Sequence, residues 1–136
     1  MEDIRTTTFS KKEKLCSNKQ IEELFTKGKS FIIYPLRIVY LIDEEINIEG
    51  RHPSVLVSVS KKKLKRAVKR NRVKRLIREA YRLHKTDLYE KLLLEKKVIN
   101  IAFIYLKDTL PEYIEIDECI QKIIKSLTDR IGERSI

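Results

Sequence analysis

The sequence predicts an α/β fold, an α+β two-layer sandwich with elements in the order helix, three strands, helix, strand, helix. Three observations lead there. Apolar residues recur at i, i+3 and i+4 in three separate segments, which is the helical period. Runs rich in β-branched and aromatic residues separate those segments. The 136 residues, 42% of them hydrophobic, suffice for one domain with one modest core and leave little for a second.

Residues 1–14, rich in Thr and Lys with Phe9 as an anchor, read as a flexible N-terminal arm, and residues 15–136 as the single domain. Ser17 and Gln20 form a capping box ahead of Ile21, Leu24 and Phe25, and Gly28 supplies the stop, so a short first helix is expected. From Ser30 to Ile42 the residues favour strand, interrupted by Tyr34-Pro35, which predicts a bent strand or two short ones. An acidic loop from Asp43 to Pro53 turns at Gly50. Val55, Val57 and Val59 then alternate with Leu56, Ser58 and Ser60, a strand that runs directly into a basic segment. Helix continues or restarts through Asp87 to Leu94. Val98 to Leu106 is almost wholly apolar, as in a strand covered on both faces. Ile120, Ile123, Ile124, Leu127 and Ile131 mark an amphipathic closing helix.

The basic segment, Lys61 to Lys85, reads as one helix and dominates the electrostatics. It holds thirteen of the chain's 30 Lys and Arg residues and only one acid, Glu79, so the remainder of this chain of net charge +10 is slightly acidic. The basicity is therefore a patch, and a polyanion is the partner it suits. Val73, Leu76, Ile77, Ala80 and His84, with Leu83 at the margin, form a stripe for the core. Asn71, Lys74, Arg75, Arg78, Arg82 and Lys85 fall opposite, while Arg70 and Arg72 flank the helix start, where free N–H groups also favour an anion. A solvated helix would interleave acids at i,i+4, and this face is expected to carry none. Arginine predominates from Arg70 to Arg82, which suits forked recognition of phosphate.

Catalytic chemistry is not evident. His52 and His84 are far apart, His84 reading as a helix-margin residue, and there is no phosphate-binding loop, nucleophile elbow or dinucleotide fingerprint. Cys16 and Cys119 form no CxxC pair and are expected as two reduced, half-buried thiols. No apolar run approaches a membrane span, and the N-terminal residues lack the apolar core of a signal peptide, so a cytoplasmic location is expected.

Val57-Ser58-Val59-Ser60-Lys61-Lys62, followed by Ala67-Val68-Lys69-Arg70-Asn71-Arg72-Val73-Lys74-Arg75-Leu76-Ile77-Arg78-Glu79-Ala80-Tyr81, closely resembles the signature of the bacterial ribonuclease P protein component. Ile21 to Phe25, ending at Gly28, and the strand reaching Tyr40 are similar to that family's first helix and cleft strand. The resemblance covers nearly the whole chain. It implies the protein subunit of a ribonucleoprotein hydrolase that removes the 5′ leader of precursor tRNA, with catalysis by the RNA subunit and the protein alone inactive. The implied partners are the ribonuclease P RNA subunit and precursor tRNA, with no membrane and no obligate protein partner. The protein alone would bind no cofactor, with Mg2+ expected in the holoenzyme with RNA. By the same resemblance, Lys69, Arg70, Asn71, Arg72, Lys74, Arg75, Arg78 and Arg82 would contact the RNA subunit. Ile21, Phe25, Tyr40, Ser58, Ser60, Lys61 and Lys62 would hold the leader, in a cleft between the first helix and the sheet, where aromatic rings stack unpaired bases and lysines meet phosphate. A ribosomal or ribosome-assembly RNA-binding protein is the competing reading. A freestanding nuclease or a membrane-surface protein fits less well, since catalytic groups are lacking and the apolar stripe of the basic helix is narrow.

Overall fold

The computed structural model describes residues 18–43 and 53–132. Its elements are α1 (Asn18–Lys27), β1 (Lys29–Ile33), β2 (Leu36–Asp43), β3 (Ser54–Val59), α2 (Ala67–His84), α3 (Thr86–Glu95), β4 (Val98–Tyr105) and α4 (Tyr113–Gly132). The expected order holds, with Tyr34-Pro35 dividing two strands and the helix restarting as α3 after Lys85. The N-terminal arm, Ser17 of the capping box, Cys16, the acidic loop and His52 lie outside the described residues.

The strands form one sheet in the order β1-β2-β4-β3. β1, β2 and β4 pair antiparallel and β3 joins β4 in parallel, so the chain from β3 to β4 crosses over through α2 and α3. Because side chains alternate along a strand, the register gives the sheet two different faces. On one, Leu36, Ile38 and Tyr40 of β2 line up with Val55, Val57 and Val59 of β3 and with Ile101, Phe103 and Tyr105 of β4, packed under α2, α3 and α4 in the main core. These are the two expected layers. Among the described residues, the other face carries α1, with Leu24 fully buried on Val39 and Ala102, and with Ile21, Leu41, Leu56 and Ile104 partly buried around them.

Gly28 sets how close α1 comes. Its N–H closes the helix on Leu24 O at 2.8 Å. A Cβ there would stand 2.3 Å from that carbonyl, 3.0 Å from Tyr40 O and 3.1 Å from Val39 Cγ1. Any larger residue would push α1 off β2 or unseat its last turn.

The basic segment departs from the expected single helix. Lys61 to Arg66 is turn and loop: Ser60 O accepts the N–H groups of Lys63 and Leu64, and Ser60 Oγ accepts that of Lys62 at 3.1 Å. A buried leucine fixes this loop without a glycine, since Leu64 inserts into the main core. The stripe of α2 is also shifted. Val73, Ile77 and Ala80 are buried as expected, but Tyr81 joins them with its ring edge-on to Phe103 at 5.7 Å and its hydroxyl bonded to that of Tyr89 at 3.3 Å. Leu83 is exposed, and His84 is half-buried. Lys85, expected on the polar face, is 1% exposed with its ammonium 5.3 Å from the Tyr89 ring centre. It falls where α2 ends and α3 turns inward, so helical phase no longer decides its side.

The expected seam of α4 is buried, extended by Ile116 and Cys119. Cys119 is buried rather than half-buried. Its thiol donates to Ile33 O at 3.0 Å, and burial pushes its pKa up to about 11, so it stays protonated at neutral pH.

Candidate nucleic-acid interface

Helix α2 buries one side and turns the other outward. Lys69, Asn71, Arg72 and Arg75 are exposed, and Lys74, Arg78 and Arg82 are half-exposed. No side-chain hydrogen bond caps the N-terminus of α2 at Arg66.

Two residues on this helix differ from the sequence-based expectation. Arg70 is half-buried, and its Nη1 donates to Leu64 O at 2.9 Å and Lys65 O at 2.8 Å. It stands three residues before Val73 and seven before Ile77, on the inward side, and there it clamps the loop that feeds the helix. Glu79 is the second. The outward face does carry an acid, because Glu79 forms an ion pair with Arg82 one turn on. The hydrogen bond from Arg82 holds the Glu79 carboxyl below its ordinary pKa, so the pair is ionised at neutral pH. Glu79→Gln is expected to strengthen binding to an RNA polyanion and to steepen its logarithmic salt slope by up to about one unit, as Arg82 becomes available to phosphate. Filter binding across a salt series measures both.

The second surface is the face of the sheet that α1 covers. The rung Ile32, Arg37, Ile104, Ser58 runs across all four strands on this face. Phe25, one residue beyond the buried Leu24 of α1, is 48% exposed. Ile21 is half-buried in the α1 contact, and Ser58 points to the same face as Leu56. Ser60, Lys61 and Lys62 are exposed where β3 ends. Tyr40 is not brought to this surface. It shares the opposite face with Leu36 and Ile38, 4% exposed, with its ring edge-on to Phe31 at 5.8 Å and its hydroxyl accepting from Arg130 Nη1 at 2.9 Å. Arg130 also lies over the Phe31 ring, 4.3 Å from its centre.

Arg37 was missed from the sequence. It is exposed, and it shares the parity of Val39 and Leu41, which face α1. The signal existed as the one charge in Leu36-Arg37-Ile38-Val39-Tyr40-Leu41-Ile42: a lone Arg marks the side away from the main core, and the same alternation assigns Tyr40 to that core.

A family model described as Ribonuclease P matches residues 9–127 of this sequence. The chain belongs to the ribonuclease P protein family. It is 44% identical over 131 residues to the ribonuclease P protein component of Porphyromonas gingivalis strain W83, covering 96% of this chain and 94% of that one. To the ribonuclease P protein component of Chlorobaculum tepidum it is 31% identical over 93% of this chain and 87% of the relative. The crystal structure of Staphylococcus aureus RNase P protein aligns with a TM-score of 0.63 and 26% identity, covering 84% of this chain and 94% of that chain. As a ribonuclease P protein component the chain has its place in tRNA processing, and the ribosomal alternative is not favoured.

The described part of this ribonuclease P protein has no helix long and apolar enough to cross a membrane. Among the described residues no three His, Cys, Asp or Glu side chains are grouped to hold a metal ion. His84 is engaged elsewhere: its Nε2 lies 2.7 Å from Asp117 Oδ1, joining α2 to α4. Burial pushes the Asp117 carboxyl up, but the hydrogen bonds from His84, Gln121 and Tyr113 outweigh it and hold the group below its ordinary value. The pair is a tie between helices, far in role from an acid–base dyad.

Proposed function

We propose that the protein holds two parts of one RNA assembly at once, gripping the ribonuclease P RNA with α2 and the single-stranded leader of precursor tRNA in the cleft under α1. The observation that carries this is the separation of the two surfaces on opposite sides of the sheet, one a run of outward cations and the other an exposed aromatic ring beside apolar strands, joined at Lys61 and Lys62. Phosphate contacts on α2 fix position, since arginine forks suit anionic backbone whatever its sequence. Phe25 offers a face on which any unpaired base can stack, with Arg37, Lys61 and Lys62 placed for its phosphates.

The chain contributes binding and orientation, and the leader is cut by the RNA subunit with Mg2+ held in the holoenzyme. The complex acts in the cytoplasm and needs no further protein partner.

The test separates leader from tRNA body. Phe25→Ala is expected to cost about 1–3 kcal/mol in holoenzyme affinity for precursor tRNA and to leave mature tRNA, which has no leader, unchanged. Equal losses for both ligands would assign Phe25 to the fold alone. The companion measurement is leader cleavage at low magnesium: the RNA subunit with the full chain should cleave, and the chain without RNA should not.

A further inference from the structure

One end of the sheet gathers more than the cleft uses. Ile33, Leu36, Tyr105 and Val59 form its last rung, so the segments that leave the sheet there are Tyr34-Pro35, Leu106-Lys107 and Ser60 to Lys63. They are tied into one rim. Leu106 N–H donates to Pro35 O at 2.9 Å, and Lys63 Nζ donates to Leu106 O. At about 4.8 Å between strands, the rim is roughly 15 Å long from β3 to β1. Lys61, Lys62 and Lys63 are exposed at its β3 end, and Lys107 stands midway. Tyr34 closes it at the β1 edge, 64% exposed, beside Ile32, which is 61% exposed. The Lys107 ammonium lies 5.7 Å from the Tyr34 ring centre and forms an ion pair with Glu115.

Neither the main core nor the α1 contact includes Tyr34. The rim nonetheless orients its ring, because a cation at cation–π distance is itself held by a carboxylate. Four lysines, Lys61, Lys62, Lys63 and Lys107, lie along the rim, and Glu115 is neutralised by its ion pair with Lys107. A surplus of positive charge leading to an exposed aromatic ring suits a strand with both phosphates and accessible base faces. A duplex hides its base faces.

Building on the reading of the cleft as a leader site, we infer that Tyr34 is a second stacking platform for single-stranded RNA. It takes a distal base of the leader after the strand has passed Lys61 and Lys62 and followed the lysine rim across the sheet end.

The experiment uses the full chain assembled with ribonuclease P RNA and a series of precursor tRNAs with progressively shortened leaders. Tyr34→Ala is expected to weaken binding of the long-leader precursor about tenfold, the loss of one stacked base. The effect should disappear at one point in the series as the leader is cut back, while Tyr34→Phe, which keeps the ring, binds every leader like the unsubstituted chain. The exposed position predicts an unchanged unfolding midpoint for both variants. Wild-type affinity of Tyr34→Ala for the longest leader, or an equal loss at every leader length, would overturn the inference. If Phe25→Ala separates precursor from mature tRNA and Tyr34→Ala does not separate long from short leaders, the rim inference alone fails. If neither variant discriminates, the leader cleft fails with it.

Discussion

Tyr40→Ala is expected to lower the stability of the domain by about 3–5 kcal/mol, the usual cost of removing a buried aromatic ring. The change empties a site between Phe31 and the main core and deprives Arg130 Nη1 of its acceptor on the Tyr40 hydroxyl. Domains of this kind have about 5–15 kcal/mol in total, so a large share of the folded state's margin would go. Tyr40→Phe keeps the ring and loses only the hydrogen bond, at about 1 kcal/mol. Urea unfolding followed by circular dichroism should show both shifts in midpoint. On folded protein, Tyr40→Phe should bind precursor and mature tRNA as the unsubstituted chain does. A selective loss of precursor binding in Tyr40→Ala, with no change in the unfolding midpoint, would return Tyr40 to the leader site and contradict the register of β2.

Replacing Arg72, Arg75 and Arg78 together by alanine should reduce affinity for ribonuclease P RNA most of all. If each guanidinium neutralises one phosphate, the logarithmic salt slope should fall by roughly two to three units. Thermal stability should barely change, because Arg72 and Arg75 are exposed and Arg78 is half-exposed with its side chain on the outward side of α2. Arg70 is kept out of this set because its clamp on Leu64 O and Lys65 O makes it part of the loop's structure. Arg70→Ala would therefore mix a loop defect with a lost charge. An unchanged slope in the triple variant would remove α2 from the RNA interface.

The basic loop between β3 and α2 contains no glycine. Glycine serves such loops by easing backbone conformation, whereas here Leu64 anchors the loop from within and Arg70 ties its carbonyls from the helix. The connection that positions Lys61 and Lys62 is fixed by side chains. Its electrostatic cost is spread, since Lys63 turns to a carbonyl at the sheet end.

The sequence by itself determined the element types, their order and the segment in which the basic residues concentrate. Those are local properties: the 3.6-residue and 2-residue periods, the stop at Gly28 and the break at Tyr34-Pro35 are each encoded within a few neighbouring residues. The motif from Val57 to Tyr81 carried the family for the same reason, as a contiguous run. What only the tertiary structure decided was which side chains share a surface. Tyr40 and Phe25 look alike as aromatic residues near one cleft; within β2 only the lone Arg37 hints at the alternation, and pairing with β1 and β4 is what sends Tyr40 to the α4 side. Arg70 reads as one more cation until the loop's carbonyls come within its reach, and Lys85 reads as solvated until α3 folds back over the end of α2. The rim joining Tyr34, Lys107 and Lys61 to Lys63 brings together three segments that are distant in the chain. Their meeting depends on strand order and register, which are set by long-range packing and are not written in any local pattern.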